Sequence, residues 1–225
     1  MFEDVLHGIT VWAVPVILAV TLHEIAHGRV AMRCGDDTAF LARRLSLNPL
    51  RHVSLVGTVL VPALLVMTTP FLFGWAKPVP VNFRKLLNPR RDMVLVAAAG
   101  PATNLVLAIV SAGLMHGIVY FPDSAQLLGE NLRNSVIINL VLAVFNMLPI
   151  PPLDGGRVAV GLLPEWLGRS LAGLERVGLL IIIGVLFVLP SIGNYIGIDL
   201  NVFLWLVQAP VGSLFRAVMF VTGHG

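Results

Sequence analysis

Residues 5–31 read VLHGITVWAVPVILAVTLHEIAHGRVA. A run long and apolar enough to cross hydrocarbon thus ends with two imidazoles and a carboxylate set among Leu, Ile and Ala. A transmembrane helix needs roughly 20 apolar residues, so length favours a spanning helix. Ionisable groups inside such a helix are costly and mark function. The stretch therefore predicts a membrane helix that carries a chemical site. Glu3 and Asp4 precede it where a cleavable leader would be basic, and no small-residue cleavage pattern follows, which predicts a retained helix.

The rest of the chain agrees. Of its 225 residues, 57% are hydrophobic and only 12% charged, and the mean hydropathy is +0.89, outside the range of an ordinary soluble domain. Further apolar segments run over Val53 to Phe73, Met93 to Tyr120, Ser135 to Leu148, Leu171 to Leu189 and Leu200 to Val221. Turn signals such as LNPL, LLNPRRD, YFPDS and LPSIGN separate them. The expected fold is all-α: a single-domain, polytopic bundle of about five to six membrane segments. Net charge is +3, and Arg and Lys gather in short loops without interleaved exposed aromatics, a topology signal that argues against a nucleic-acid partner. Cys34 is the lone cysteine, so no intrachain disulfide forms.

Charge predicts orientation, because short loops rich in Arg and Lys stay in the cytoplasm. Arg29, Arg33, Arg43, Arg44 and Arg51 follow the first helix, so it should run inward. Lys77, Arg84, Lys85, Arg90 and Arg91 follow the segment 53–73, which is broken by Gly57, Pro62 and Pro70. Basic loops on both flanks point to a re-entrant hairpin there. The stretch from Pro122 to Asn134, with Asp123 and Glu130 against Arg133, reads as an external loop. Arg157, Arg169 and Arg176 mark a cytoplasmic loop, and Gly193 to Asp199 has no basic residue.

In His23-Glu24-Ile25-Ala26-His27 the histidines are four apart, which on a helix stacks both imidazoles on one face, one turn apart. They can share one metal ion. Zinc suits imidazole nitrogen, and a catalytic zinc takes three protein ligands plus a water. Glu24 is close to that ion but aimed differently, as a base for the water requires. With Arg29 at the interface, His23 lies roughly 9 Å inside it at about 1.5 Å per residue, which demands a water-filled cavity. Two core histidines beside a paired Glu are the bland alternative.

A third ligand is needed. Asp36, Asp37, Glu165 and Glu175 lie in polar contexts that explain themselves. Asp154 does not: it ends FNMLPIPPLDGG. A helix from Ser135 would run about 14 residues, roughly 21 Å, before the prolines stop it, bringing Asp154 to the depth of His23. As the alternative, Asp154 could cap a helix starting near Arg157.

With HEIAH, AGPATN, GWAKPVPVN and NMLPIPPLDGG in this order over residues 23–156, the chain resembles the site-2 protease family of intramembrane zinc metalloproteases. The resemblance implies one zinc per chain held by His23, His27 and Asp154, with Glu24 as acid and base. It also implies that Asn146 helps hold the substrate backbone or the developing oxyanion. The expected activity is hydrolysis of peptide bonds within or near the transmembrane segments of membrane proteins. Partners would then be such substrates and the lipid bilayer, with the site toward the cytoplasmic side of a prokaryotic plasma membrane. No insert interrupts the segments and no helix precedes the histidine helix, which fits a minimal member. Nothing in the sequence sets an oligomeric state.

Supporting residues carry alternatives. Asn146 is a polar residue in a helix of Leu, Val, Ala and Phe; it serves either an oxyanion or an interhelical bond. Asn104, after Gly100-Pro101, either braces the site from behind or packs. Asn139, seven before Asn146, reads as packing. GWAKPVPVN favours an extended segment near the site, able to pair with an unwound substrate or to serve as an interfacial loop anchored by Trp75 and Lys77. His7, His52, His116 and His224 lack metal-ligand spacing and read as interfacial or solvated. A metal transporter would show internal duplication, and none is visible. A catalytically dead scaffold would more naturally have lost Glu24 or Asp154.

Overall fold

The structure is a computed structural model that describes residues 2–61, 74, 76–202 and 204–224. Among the described residues there is no β-strand, and the helices are α1 (Phe2–Arg33), α2 (Thr38–Leu41), α3 (Pro89–Leu114), α4 (Ala125–Asn146), α5 (Asp154–Leu162), α6 (Glu165–Gly173), α7 (Glu175–Ile183), α8 (Leu189–Ile196) and α9 (Ala209–Val221). Wide, π-type turns join α7 to α8 and lead into α9. Five helical stretches among the described residues are long and apolar enough to cross a membrane: Leu6–Arg33, Pro89–Tyr120, Pro122–Asn146, Glu175–Ile196 and Leu204–Val221. The all-α, polytopic bundle is as expected. Residues 62–73, the greater part of the expected hairpin, and Trp75 lie outside the described residues.

α1, α3 and α4 form the central group, with α5 docked on α3 and α9 on α4. Without a hydrophobic drive between helices in lipid, association depends on close backbone approach and interhelical hydrogen bonds. The buried face of α3 supplies both, with Ala97, Gly100, Ala108 and Ala112 as small residues and Asn104 and Ser111 as polar ones. Ala108, Ala112, Val136, Leu140 and Val218 form one apolar cluster between α3, α4 and α9. α3 starts with Pro89 in its first turn, and Asp92 takes the Asn88 N–H at 2.7 Å. That bond fills a donor the helix cannot use and sets a carboxylate at its positive end.

One topological expectation is corrected. The stretch 122–134 is not a loop, because α4 begins at Ala125. Gln126, Glu130, Asn131 and Arg133 are compatible with a helix that leaves lipid, and their polarity hid its first turns. Thr222, after α9, sits with its carbonyl 2.6 Å from the His116 ring, at the end of α3 remote from His23, so α9 runs parallel to α3.

After α1, Asp36 is fully buried. One carboxylate oxygen accepts from the Thr38 N–H and hydroxyl, the other from the Asn82 N–H at 2.6 Å. It straps the segment 76–82 to the end of α1. Burial alone would raise this carboxyl, but bonds from Thr38 and Asn82, with Lys85 nearby, hold it below the ordinary carboxylate value. A depressed folded-state value contributes stability above about pH 4, the unfolded value, and loses it as pH falls through the folded value. Asp36→Asn is expected to cost about 1–3 kcal/mol at pH 7 by leaving an N–H unpaired. That gap should narrow below pH ~4. Thermal unfolding in detergent at pH 7 and pH 3 checks it; an equal gap at both values would deny the carboxylate charge any part.

Candidate metal centre

His23 and His27 project from one face of α1 with ring centroids 4.6 Å apart, edge to face. Each ring is held by its Nδ1. His27 Nδ1 lies 2.7 Å from the Val96 carbonyl of α3, and His23 Nδ1 lies 2.5 Å from Asn104 Oδ1. A backbone carbonyl only accepts, so His27 carries its proton on Nδ1 and leaves Nε2 bare. The two Nε2 atoms are 3.0 Å apart. Asp154 Oδ2 lies 3.1 Å from His23 Nε2 and 3.3 Å from His27 Nε2. All three ligand atoms fall within 4.8 Å of one another, and all three residues are buried.

His27 Nε2 and Asp154 Oδ2 are acceptors this close, and they repel unless a cation sits between them. Asp154 Oδ2 is a buried oxygen without a hydrogen-bond donor, a costly state that one cation would relieve. Two imidazole nitrogens and a carboxylate oxygen suit zinc, with a fourth position left for water. The residues present fit that ion.

Backbone packing makes the meeting possible. A Cβ on Gly100 would stand 2.5 Å from His23 Cε1 and from His27 Nε2, so α3 passes the rings only without a side chain. On the other side, Gly155 and Gly156 press against the backbone of Met147 and Pro151, tucking the start of α5 under the end of α4. Leu153, not Asp154, occupies the capping position, and no side chain caps the helix. The capping alternative for Asp154 therefore fails: its carboxylate faces the imidazoles. Gly100→Ala is expected to push the rings apart and weaken zinc binding by about 10–100-fold, the scale of losses around a metal site. Metal content after dialysis at fixed free zinc checks this.

Glu24 is half-buried, and its Oε2 accepts the Val79 N–H at 2.7 Å. The segment expected to lie near the site does so. It has neither helix nor strand partner over residues 76–82 and is tied further by Lys77 N–H to the His52 carbonyl at 2.8 Å. Asn146 ends α4, and its Nδ2 donates to the Leu142 carbonyl of the same helix at 3.0 Å. Asn104 stands directly behind His23. His52, expected at the interface, is buried instead, with Nε2 at 2.9 Å from the Ser46 carbonyl. His7 pairs with Glu130 at 2.6 Å, and His116 stacks on His224. Sequence reasoning missed Val79; it read Gly100 as a small residue permitting close helix approach without setting the two rings against it, and it read Asn139 as packing.

A helical membrane bundle enclosing this donor set defines a membrane metalloprotein with the make-up of a peptidase. Comparisons with known proteins identify which. The model of Peptidase family M50 matches residues 124–190. A Bacillus subtilis protein named "Putative zinc metalloprotease YwhC" is 39% identical over 188 residues, covering 81% of this chain and 82% of its own. Rip2 of Mycolicibacterium smegmatis, named likewise, is 29% identical over 180 residues, 80% of this chain and 67% of its own. MJ0611 of Methanocaldococcus jannaschii, with the same designation, is 34% identical over 140 residues, 60% and 62% of the two chains. No solved structure matches. The chain belongs to peptidase family M50, the site-2 proteases, and is a zinc-dependent metalloprotease built as a multi-pass membrane protein.

Proposed function

We propose that the protein cleaves peptide bonds within or near the transmembrane segments of membrane-protein substrates. In this reading one zinc per chain is held by His23, His27 and Asp154. The observation that carries it is the convergence of two imidazole nitrogens and a carboxylate oxygen without a hydrogen-bond donor inside an apolar bundle. The zinc, when bound, supplies Lewis-acid polarisation of water and of the scissile carbonyl.

The chain's own residues do the rest. Glu24 accepts a proton from the attacking water and returns it to the leaving amine nitrogen. Asn146 gives up its bond to the Leu142 carbonyl and donates to the substrate carbonyl oxygen as it gains charge. A substrate helix hides its carbonyls in hydrogen bonds, so it must unwind before attack. Basic residues around the end of α1 support a site that faces the cytoplasm.

The Val79 N–H fixes the Glu24 carboxylate in this scheme. Val79→Pro removes that donor and is expected to slow cleavage about tenfold or more, the worth of a charge-assisted bond. Val79→Ala keeps the N–H and should cleave near the wild-type rate. Turnover of both variants at matched zinc content checks the difference.

The function itself is tested by reconstituting the protein with a single-span reporter in liposomes and mapping the cut by mass spectrometry. A cut inside the apolar segment, suppressed when helix-weakening residues there become Leu, is expected. Cuts confined to the soluble parts of the reporter, away from the apolar segment and its flanks, overturn the reading.

A further inference from the structure

His23 differs from His27 in one respect: its Nδ1 faces a carboxamide and not a backbone carbonyl. A carboxamide can present either end, so something must decide which. The decision is traceable. Asn139 Nδ2 lies 2.8 Å from the Ser135 carbonyl on its own helix. That oxygen carries no hydrogen, so the amide end facing it is the NH2. Asn139 Oδ1 therefore points across to α3, where it lies 2.8 Å from Asn104 Nδ2. An oxygen there requires Asn104 to donate, and the Ala19 carbonyl, 3.4 Å away, draws the same NH2. Asn104 Oδ1 is left facing His23 Nδ1, which must then carry the ring proton.

We propose that Asn139 is a positioning residue that sets the tautomer of His23 through Asn104, so that a bare Nε2 faces the metal position. Asn104 is 0% and Asn139 1% exposed, so water cannot rescue a flipped amide. A flip would set donor against donor in an apolar bundle. The inference rests on the proposed role of His23 as a zinc ligand, but the tautomer can be read without zinc.

The test uses the full-length protein with 15N-labelled histidine, zinc-loaded and after chelation, with the His23 signals assigned by their loss in His23→Gln. Wild type is expected to show His23 protonated on Nδ1 in both states. In Asn139→Leu, Asn104 is free to turn, part of the His23 population moves its proton to Nε2, and zinc affinity falls about 10–100-fold in chelator competition. Asn139→Asp, kept protonated by burial, accepts from Asn104 and donates to the Ser135 carbonyl, so it should restore both readouts where a loss of packing would not.

A folded Asn139→Leu with wild-type tautomer and affinity overturns the proposal. Should that variant fail to fold, a wild-type His23 protonated on Nε2 overturns it, as does Asn139→Asp with the tautomer lost. Failure of the site reading looks different: zinc would stay bound in Asp154→Ala, whatever the tautomer shows.

Discussion

Asp154→Ala is expected to lower zinc affinity about a thousandfold and abolish proteolysis. Structural zinc in zinc-finger peptides is bound by about 10–16 kcal/mol, so one ligand of such a four-ligand set carries about 3–4 kcal/mol, a factor approaching ~10³. Asp154 also supplies the only negative charge among the three ligand atoms. The variant should leave the metal-free protein intact or more stable, because it removes a buried oxygen that has no hydrogen-bond donor. Zinc-dependent stabilisation, about 4 kcal/mol at a thousandfold excess over Kd, should vanish with it. Chelator competition and thermal unfolding with and without zinc measure both effects. Unchanged zinc affinity would remove Asp154 from the site.

Glu24→Gln is expected to keep zinc and fold while slowing cleavage about 10²–10⁴-fold, the range for loss of general acid–base catalysis. The carboxamide oxygen still accepts the Val79 N–H, whose bond to Glu24 Oε2 is 2.7 Å in the native protein, so the segment 76–82 should stay in place. What is lost is an oxygen that takes up a proton. Zinc content and single-turnover cleavage separate the two functions. A variant that loses both metal and activity would make Glu24 a ligand, and one that cleaves near the native rate would leave the reaction without its base.

The helical parts of the site were readable because period and depth act locally. A spacing of four from His23 to His27 on a helix gives one face, whatever the neighbours. The length of the chain up to the proline stop put Asp154 near the same depth. Errors arose where a local rule met a longer-range cause. Polar residues of α4 read as a loop because Gln126, Glu130 and Asn131 stand at a helix end that emerges from the apolar layer. His52 read as solvated, yet it is buried with its backbone carbonyl holding Lys77. The direction of α9 could not be read from the uncharged stretch 193–199; the packing of Val218 on Ala108 and Ala112 sets it.

The sequence by itself determined that this chain is a polytopic bundle of membrane-long apolar helices, and it singled out two imidazoles, a carboxylate and a distant aspartate as the candidate reactive groups. Those conclusions follow from transfer free energies and helical period, which depend only on nearest neighbours along the chain. The tertiary structure alone decided that Gly100 clears room for the rings and that Val79 holds Glu24. It also decided that two amides on α3 and α4 stand behind His23. Each of these is a contact between residues far apart in sequence, made by backbones that approach within a side chain's width. No periodicity records how closely two helices will pass.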